Sequence, residues 1–60
     1  MNLKDEILRY RAQENLSQVD FAARVGVSKT TIVGIELGRQ SPTQKTTTKI
    51  RMVIEAKEEQ

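Results

Sequence analysis

Apolar side chains recur along the chain at helical spacing in three successive runs, each preceded by a residue suited to cap a helix. Leu3, Ile7 and Tyr10 fall at i, i+4 and i+7 on one face, behind Asn2 as cap and with Asp5 at the third position. This predicts a first helix over Leu3–Gln13, broken at Glu14-Asn15, after which Leu16 re-enters the core. Ser17-Gln18-Val19-Asp20 has the form of a capping box, in which a hydroxyl and a carboxylate satisfy orphan N–H groups reciprocally. A second helix over Gln18–Val25 follows, burying Phe21, Ala22 and Val25, with Gly26 where a left-handed C′ position needs no Cβ. Ser28 then caps a third helix over Lys29–Leu37, with Ile32 and Ile35 as its stripe and Gly38 after it. Gly34 lies inside that helix, where it costs roughly 1 kcal/mol relative to alanine, a local conflict that asks for a reason.

Beyond Gly38 the pattern is less decisive. Ser41-Pro42-Thr43-Gln44 reads as cap, proline at the first helical position and glutamine closing the box, which starts a fourth helix near Pro42; Thr43 is a rival cap. From Thr46 to Ile54 two periods coexist. Thr48, Ile50, Met52 and Ile54 alternate as in a strand, whereas Ile50, Val53, Ile54 and Lys57 suit a helix. The good helix formers from Glu55 to Gln60 favour helix.

Composition narrows the class. With 60 residues the chain reads as one domain, residues 1–60, of marginal stability, and it has neither Cys nor His for a disulfide or a zinc site. Only 3% of residues are aromatic and 37% hydrophobic, which suits a small helical core of Leu, Ile, Val and Ala rather than a β-sandwich. No run approaches the ~20 apolar residues of a membrane span and Met1–Tyr10 lacks the apolar centre of a signal peptide, so no membrane partner and a cytoplasmic location are expected. The net charge of +2 is mild, but its distribution is not even. Lys29, Arg39, Lys45, Lys49 and Arg51 face Glu36 alone from Ser28 to Arg51, while four bases balance four acids from Met1 to Val27.

Gln18 to Leu37 therefore reads as helix, short turn, helix within twenty residues, with the small Ala22, the turn glycine Gly26 and buried Phe21, Val25, Val27, Ile32 and Ile35 that such a crossing requires. The run Asn15-Leu16-Ser17-Gln18, then Phe21-Ala22, Val25-Gly26-Val27-Ser28-Lys29-Thr30-Thr31-Ile32, Ile35-Glu36, Gly38-Arg39 and Pro42 resembles the Cro and phage-repressor (Xre-type) helix-turn-helix proteins over about Ile7–Ile50. The resemblance implies an all-α, compact four- to five-helix repressor-like domain in which helix three enters the DNA major groove and helix two crosses the backbone. It further implies a sequence-specific transcription regulator, a repressor of bacterial or phage origin, associated with the nucleoid.

Site residues follow from that resemblance. Gln18 and Ser28, at the starts of helices two and three, are expected at phosphates, as are Arg39, Gln40 and Lys45 around the loop after helix three. Lys29 and Thr30 occupy the exposed first turn of the recognition helix, where the family reads base edges: lysine suits guanine O6 and N7, and a threonine methyl meets a thymine methyl. Gly34 falls one turn later at another base-reading position, either as a place of close backbone approach to DNA or as a tolerated solvent-facing glycine. Arg11 and Glu36 match a structural ion pair between helices one and three; as exposed charges they would contribute only ~0–1 kcal/mol.

Two departures stand out. Gln44, Thr47 and Thr48 replace the apolar residues usual in the fourth helix, and with the chain running out at Glu58-Glu59-Gln60 no fifth helix is expected. Ile50, Met52, Val53 and Ile54 then look too many for one small face, so Ile50, Val53 and Ile54 are expected at a homodimer interface, with two copies on a palindromic duplex. The competing function is a protein-interaction module of antitoxin or bridging-factor type, against which the polar Lys29-Thr30-Thr31 argues. An enzyme lacks its inventory, having no His, no Cys and carboxylates that adjoin in sequence near the chain ends; no cofactor and no small-molecule ligand is indicated.

Overall fold

The computed structural model describes residues 2–58 and contains four helices and no strand among them: α1 (Leu3–Glu14), α2 (Gln18–Val25), α3 (Lys29–Glu36) and α4 (Gln44–Glu58). Local chemistry accounts for the first three. The Asn2 side chain accepts from the Asp5 N–H at 2.9 Å, and α1 runs one residue beyond expectation before Asn15 ends it in the left-handed region, φ 55°. The Ser17–Asp20 capping box is complete, with Ser17 Oγ accepting from the Asp20 N–H at 3.0 Å and the Asp20 carboxylate accepting from the Ser17 N–H at 3.4 Å. Gly26, φ 91°, closes α2 and donates to the Ala22 carbonyl at 2.8 Å. Leu37, expected as the last residue of α3, is its C-cap, and Gly38 turns the chain away at φ 72°.

The start of α4 corrects the reading from Ser41-Pro42. Thr43, the rival cap, takes the position: its Oγ1 accepts from the Thr46 N–H at 3.2 Å and its carbonyl from the Thr47 N–H at 2.8 Å. Gln44, expected to close a box, is instead the first helical residue. The choice is physical, because only one residue can hold the extended cap geometry, and the hydroxyl lying three residues ahead of the Thr46 N–H is that of Thr43.

Helices α2 and α3 pack most closely on each other, α1 lies against α3, and α4 spans α1 and α2. Phe21, Ile7, Ile32 and Ile50 are the largest fully buried side chains, and the Phe21 ring tilts against Tyr10 at a centroid distance of 5.7 Å. The segment with two competing periods is helix throughout, and this settles where its apolar residues go. Ile50 is 0% and Ile54 5% exposed, both within the core, and Val53 packs partly against it. Ile50 and Ile54 are thus unavailable to an interface between copies: helical spacing gathers them on one face, where α1 and α2 cover them. Met52, 66% exposed, is the apolar residue of this segment that stays outside. The expected closure of the chain at Glu58-Glu59-Gln60 falls, for its last two residues, outside the described residues. No helix among the described residues is long and apolar enough to cross a membrane.

Thr43→Ala should lower stability in a denaturant titration by about 1 kcal/mol, whereas Ser41→Ala should stay within about 0.5 kcal/mol of the parent. Ile50→Ala should cost about 2–5 kcal/mol, the range for truncating a buried aliphatic side chain. A near-neutral Ile50→Ala would contradict its place in the core.

Candidate nucleic-acid interface

Glu36 organises the site from inside. It is a charged residue only 8% exposed, and its burial is tolerated because both carboxylate oxygens are occupied. Arg11 Nη1 donates to Oε2 at 2.8 Å and Oε1 at 3.0 Å, while Gln18 Nε2 donates to Oε1 at 2.9 Å. Arg11 Nε also donates to the Leu16 carbonyl at 3.2 Å. One carboxylate near the end of α3 therefore joins the last turn of α1, the α1–α2 turn and the first residue of α2. A second polar tie links α1 and α2, where Arg24 Nη1 donates to the Tyr10 hydroxyl at 3.2 Å; that hydrogen bond raises the guanidinium pKa above its ordinary value.

On this frame α3 presents a defined outward face. Ile32, Ile35 and Glu36 point inward and are buried. Thr30, Gly34 and Leu37, at i, i+4 and i+7, lie on the opposite side, with Thr30 exposed and Leu37 57% exposed. Lys29 and Thr30 stand exposed on the first turn of α3, which carries no acidic residue. An anion approaching that helix end meets free N–H groups and a lysine without opposing charge. The N-terminus of α2 differs, since Asp20 already occupies it through the capping box.

The remaining expected residues fall as follows. The Ser28 hydroxyl caps α3, accepting from the Thr31 N–H at 3.2 Å and lying 3.0 Å from Thr31 Oγ1. Gln18 turns its carboxamide inward to Glu36 rather than outward, so what it offers a phosphate is the backbone N–H of the first helical residue and its remaining amide hydrogen. Arg39 and Lys45 are exposed, as is Lys49, and none of them has an ion-pair partner among the described residues. Arg51, counted in the downstream basic excess, is committed elsewhere: its Nη1 lies 2.9 Å from Glu6 Oε1. The loop after α3 folds back on the helix, with the Arg39 N–H donating to the Gly34 carbonyl at 2.8 Å and the Gln40 N–H at 3.4 Å.

Gly34 is neither an open backbone surface nor a solvent-facing glycine. A Cβ at this position would lie 2.9 Å from both Cγ and Cδ of Gln40 and 3.0 Å from its Oε1. The Gln40 side chain occupies the space that a side chain at Gly34 would enter. Sequence reasoning missed this contact and the Gln18–Glu36 bond; the misplaced glycine in α3 was the available signal for the first.

A cleft of about 20 Å³ lined by Glu6, Arg9, Tyr10, Gln13 and Ile54 has room for about one water molecule. Among the described residues no group of three or more Asp or Glu side chains is placed to hold a metal ion.

Glu36→Ala would leave the Arg11 guanidinium and the Gln18 amide without their acceptor in a largely enclosed site. Denaturant titration should register a loss of about 3 kcal/mol, and Glu36→Gln, which keeps one acceptor, should lose less. A loss below about 1 kcal/mol would mean that the pair is screened like a surface one.

Comparison with known proteins agrees with this architecture. A family model described as helix-turn-helix matches residues 7–54. An uncharacterized HTH-type transcriptional regulator of Methanocaldococcus jannaschii is 44% identical over 48 residues, covering 80% of this chain and 73% of the relative. A second uncharacterized HTH-type transcriptional regulator, from Archaeoglobus fulgidus, is 40% identical over 55 residues, covering 92% of this chain and 78% of that protein. No solved structure gives a significant match. Both relatives are archaeal, so the bacterial or phage origin expected from the resemblance gains no support. The two crossed helices on their glycine turn, the Glu36 tie and the match from residue 7 to 54 together establish that the chain belongs to the Cro and phage-repressor (Xre-type) helix-turn-helix DNA-binding family.

Proposed function

We propose that this chain is a sequence-specific, double-stranded-DNA-binding transcription regulator acting as a repressor in the cytoplasm, at the nucleoid. The observation that carries the reading is the first turn of α3: exposed Lys29 and Thr30 on a helix end free of acidic residues, held at a set angle by α2. In this reading Lys29 reads guanine and Thr30 a thymine methyl, while Gln18, Ser28, Arg39 and Lys45 hold the phosphates on either side. The transcription-regulator names of both archaeal relatives support the same role. Repression is the outcome we favour because a domain seated in the major groove excludes other proteins from that duplex.

Two copies bind a palindromic site, with half-sites about one helical turn apart, ~34 Å centre to centre. The support for this pairing is the small number of base contacts one α3 can make, and no longer a surplus of apolar residues, since Ile50 and Ile54 are enclosed within the protomer. Met52 and the outer edge of Val53 are what α4 has left to offer a second copy.

Titration of a selected duplex at several salt concentrations tests the reading. With Arg39 and Lys45 as the cationic phosphate contacts, log affinity should fall against log salt with a slope of about −2 per copy. Lys45→Ala should weaken cognate and random duplexes alike and reduce the slope by about 1, whereas Lys29→Ala and Thr30→Ala should cost ~1–3 kcal/mol on cognate DNA and shift the preferred bases. Equal effects of all three on cognate and random DNA would refute the division of roles, and absence of binding even at low salt would favour a protein-interaction module.

A further inference from the structure

The recognition helix carries a gap at the centre of its outward face, and a residue from outside the helix fills it. Thr30, Gly34 and Leu37 line that face, and Gly34 contributes no side chain. The chain beyond α3 returns to this point: the N–H groups of Arg39 and Gln40 both donate to the Gly34 carbonyl, at 2.8 and 3.4 Å. Gln40 then lays its side chain across the glycine, with Cγ and Cδ 2.9 Å and Oε1 3.0 Å from where a Cβ would stand. A side chain at Gly34 would have to push the Gln40 side chain aside, so the glycine leaves open the space that Gln40 fills. The carboxamide is exposed and has no hydrogen-bond partner among the described residues, unlike that of Gln18.

Resting on the DNA-binding reading above, we infer that Gln40 is a base-reading residue and not a phosphate contact. Its carboxamide, carried by the α3–α4 loop onto the face of α3 beside Thr30, takes the role that a long polar side chain at Gly34 would otherwise play. A glutamine carboxamide in the major groove pairs bidentately with adenine, its N–H donating to N7 and its carbonyl accepting from the N6 amino group. Pre-placement against the helix matters, because the backbone bonds to Gly34 hold the loop, and with it the root of the Gln40 side chain, at this face before DNA arrives. The recognition surface is then built from two segments. Lys29 and Thr30 read from the helix start, and Gln40 reads from the loop in place of the fourth residue after Thr30.

Selection from a random duplex library, run in parallel on the unsubstituted chain, Gln40→Ala and Gly34→Ala, tests this. The unsubstituted chain should select adenine at one position per half-site beside those that respond to Lys29→Ala and Thr30→Ala. Gln40→Ala should reduce that preference about tenfold and leave the other positions unchanged. Gly34→Ala, whose Cβ displaces Gln40, should flatten the same position although Gln40 is still present; circular dichroism checks that both variants stay helical. A uniform loss of affinity across all sequences with Gln40→Ala would return Gln40 to the phosphate backbone and overturn the inference. So would an adenine preference that survives Gly34→Ala. If the unsubstituted chain selects no duplex, the DNA-binding reading itself falls, an outcome distinct from either.

Discussion

The Glu36 carboxylate is the constraint around which the DNA-binding half of the molecule is arranged. A charge taken into the interior is costly unless its oxygens are satisfied, and here the two satisfying donors come from different helices, Arg11 on α1 and Gln18 at the start of α2, so that three helices meet at one carboxylate of α3. None of these can slide without leaving a buried donor or acceptor unpaired, so the bond sets the position of α3 as well as adding to stability. Apolar packing alone tolerates small shifts of one helix over another, since hydrophobic contact is non-directional. A hydrogen-bonded carboxylate does not. The network lies at the opposite end of α3 from Lys29 and Thr30, so that the exposed first turn belongs to a helix anchored at its far end.

The same helix is short of length for both tasks. Its eight residues must bury Ile32, Ile35 and Glu36 on one side and leave an outward face on the other. Gly34 concedes part of the outward face, and the loop compensates by returning Arg39 and Gln40 to it through the Gly34 carbonyl. The loop thereby lies against the outward face of α3 instead of merely connecting it to α4. Its geometry depends in turn on Gly38 in the left-handed region, which turns the chain back after α3.

Helix α4 performs the closing function for which no further helix was expected. Ile50 and Ile54 seal the core against α1 and α2, while Arg51 binds Glu6 on α1 and so withdraws one positive charge from those available to a nucleic acid. Of the basic residues from the start of α3 onward, Lys29, Arg39, Lys45 and Lys49 are exposed, while among the acids Glu6 and Glu36 are held in ion pairs and Asp20 in the cap of α2.

Much of this is legible in the sequence alone. The bounds of α2, the caps of α1, α2 and α3 and the glycine that closes α2 were readable because capping is local: a hydroxyl or carboxylate meets an N–H two or three residues away whatever the rest of the chain does. Phe21, Ala22, Val25, Ile32 and Ile35 were identifiable as core because helical periodicity assigns faces directly. Where two local solutions competed, the sequence could not choose. Ser41 and Thr43 are both chemically fit to cap α4, and the stretch from Thr46 to Ile54 satisfies both periods. Packing decided the period, since only helical spacing puts Ile50 and Ile54 together in the space left by α1 and α2, and Thr43 took the cap because its hydroxyl and carbonyl meet the N–H groups of Thr46 and Thr47. Tertiary structure alone also decided the turn of Gln18 toward Glu36, the withdrawal of Arg51 to Glu6 and the laying of Gln40 over Gly34. Each joins residues whose distance apart depends on the path of the whole chain, and nothing in local propensity or periodicity encodes it.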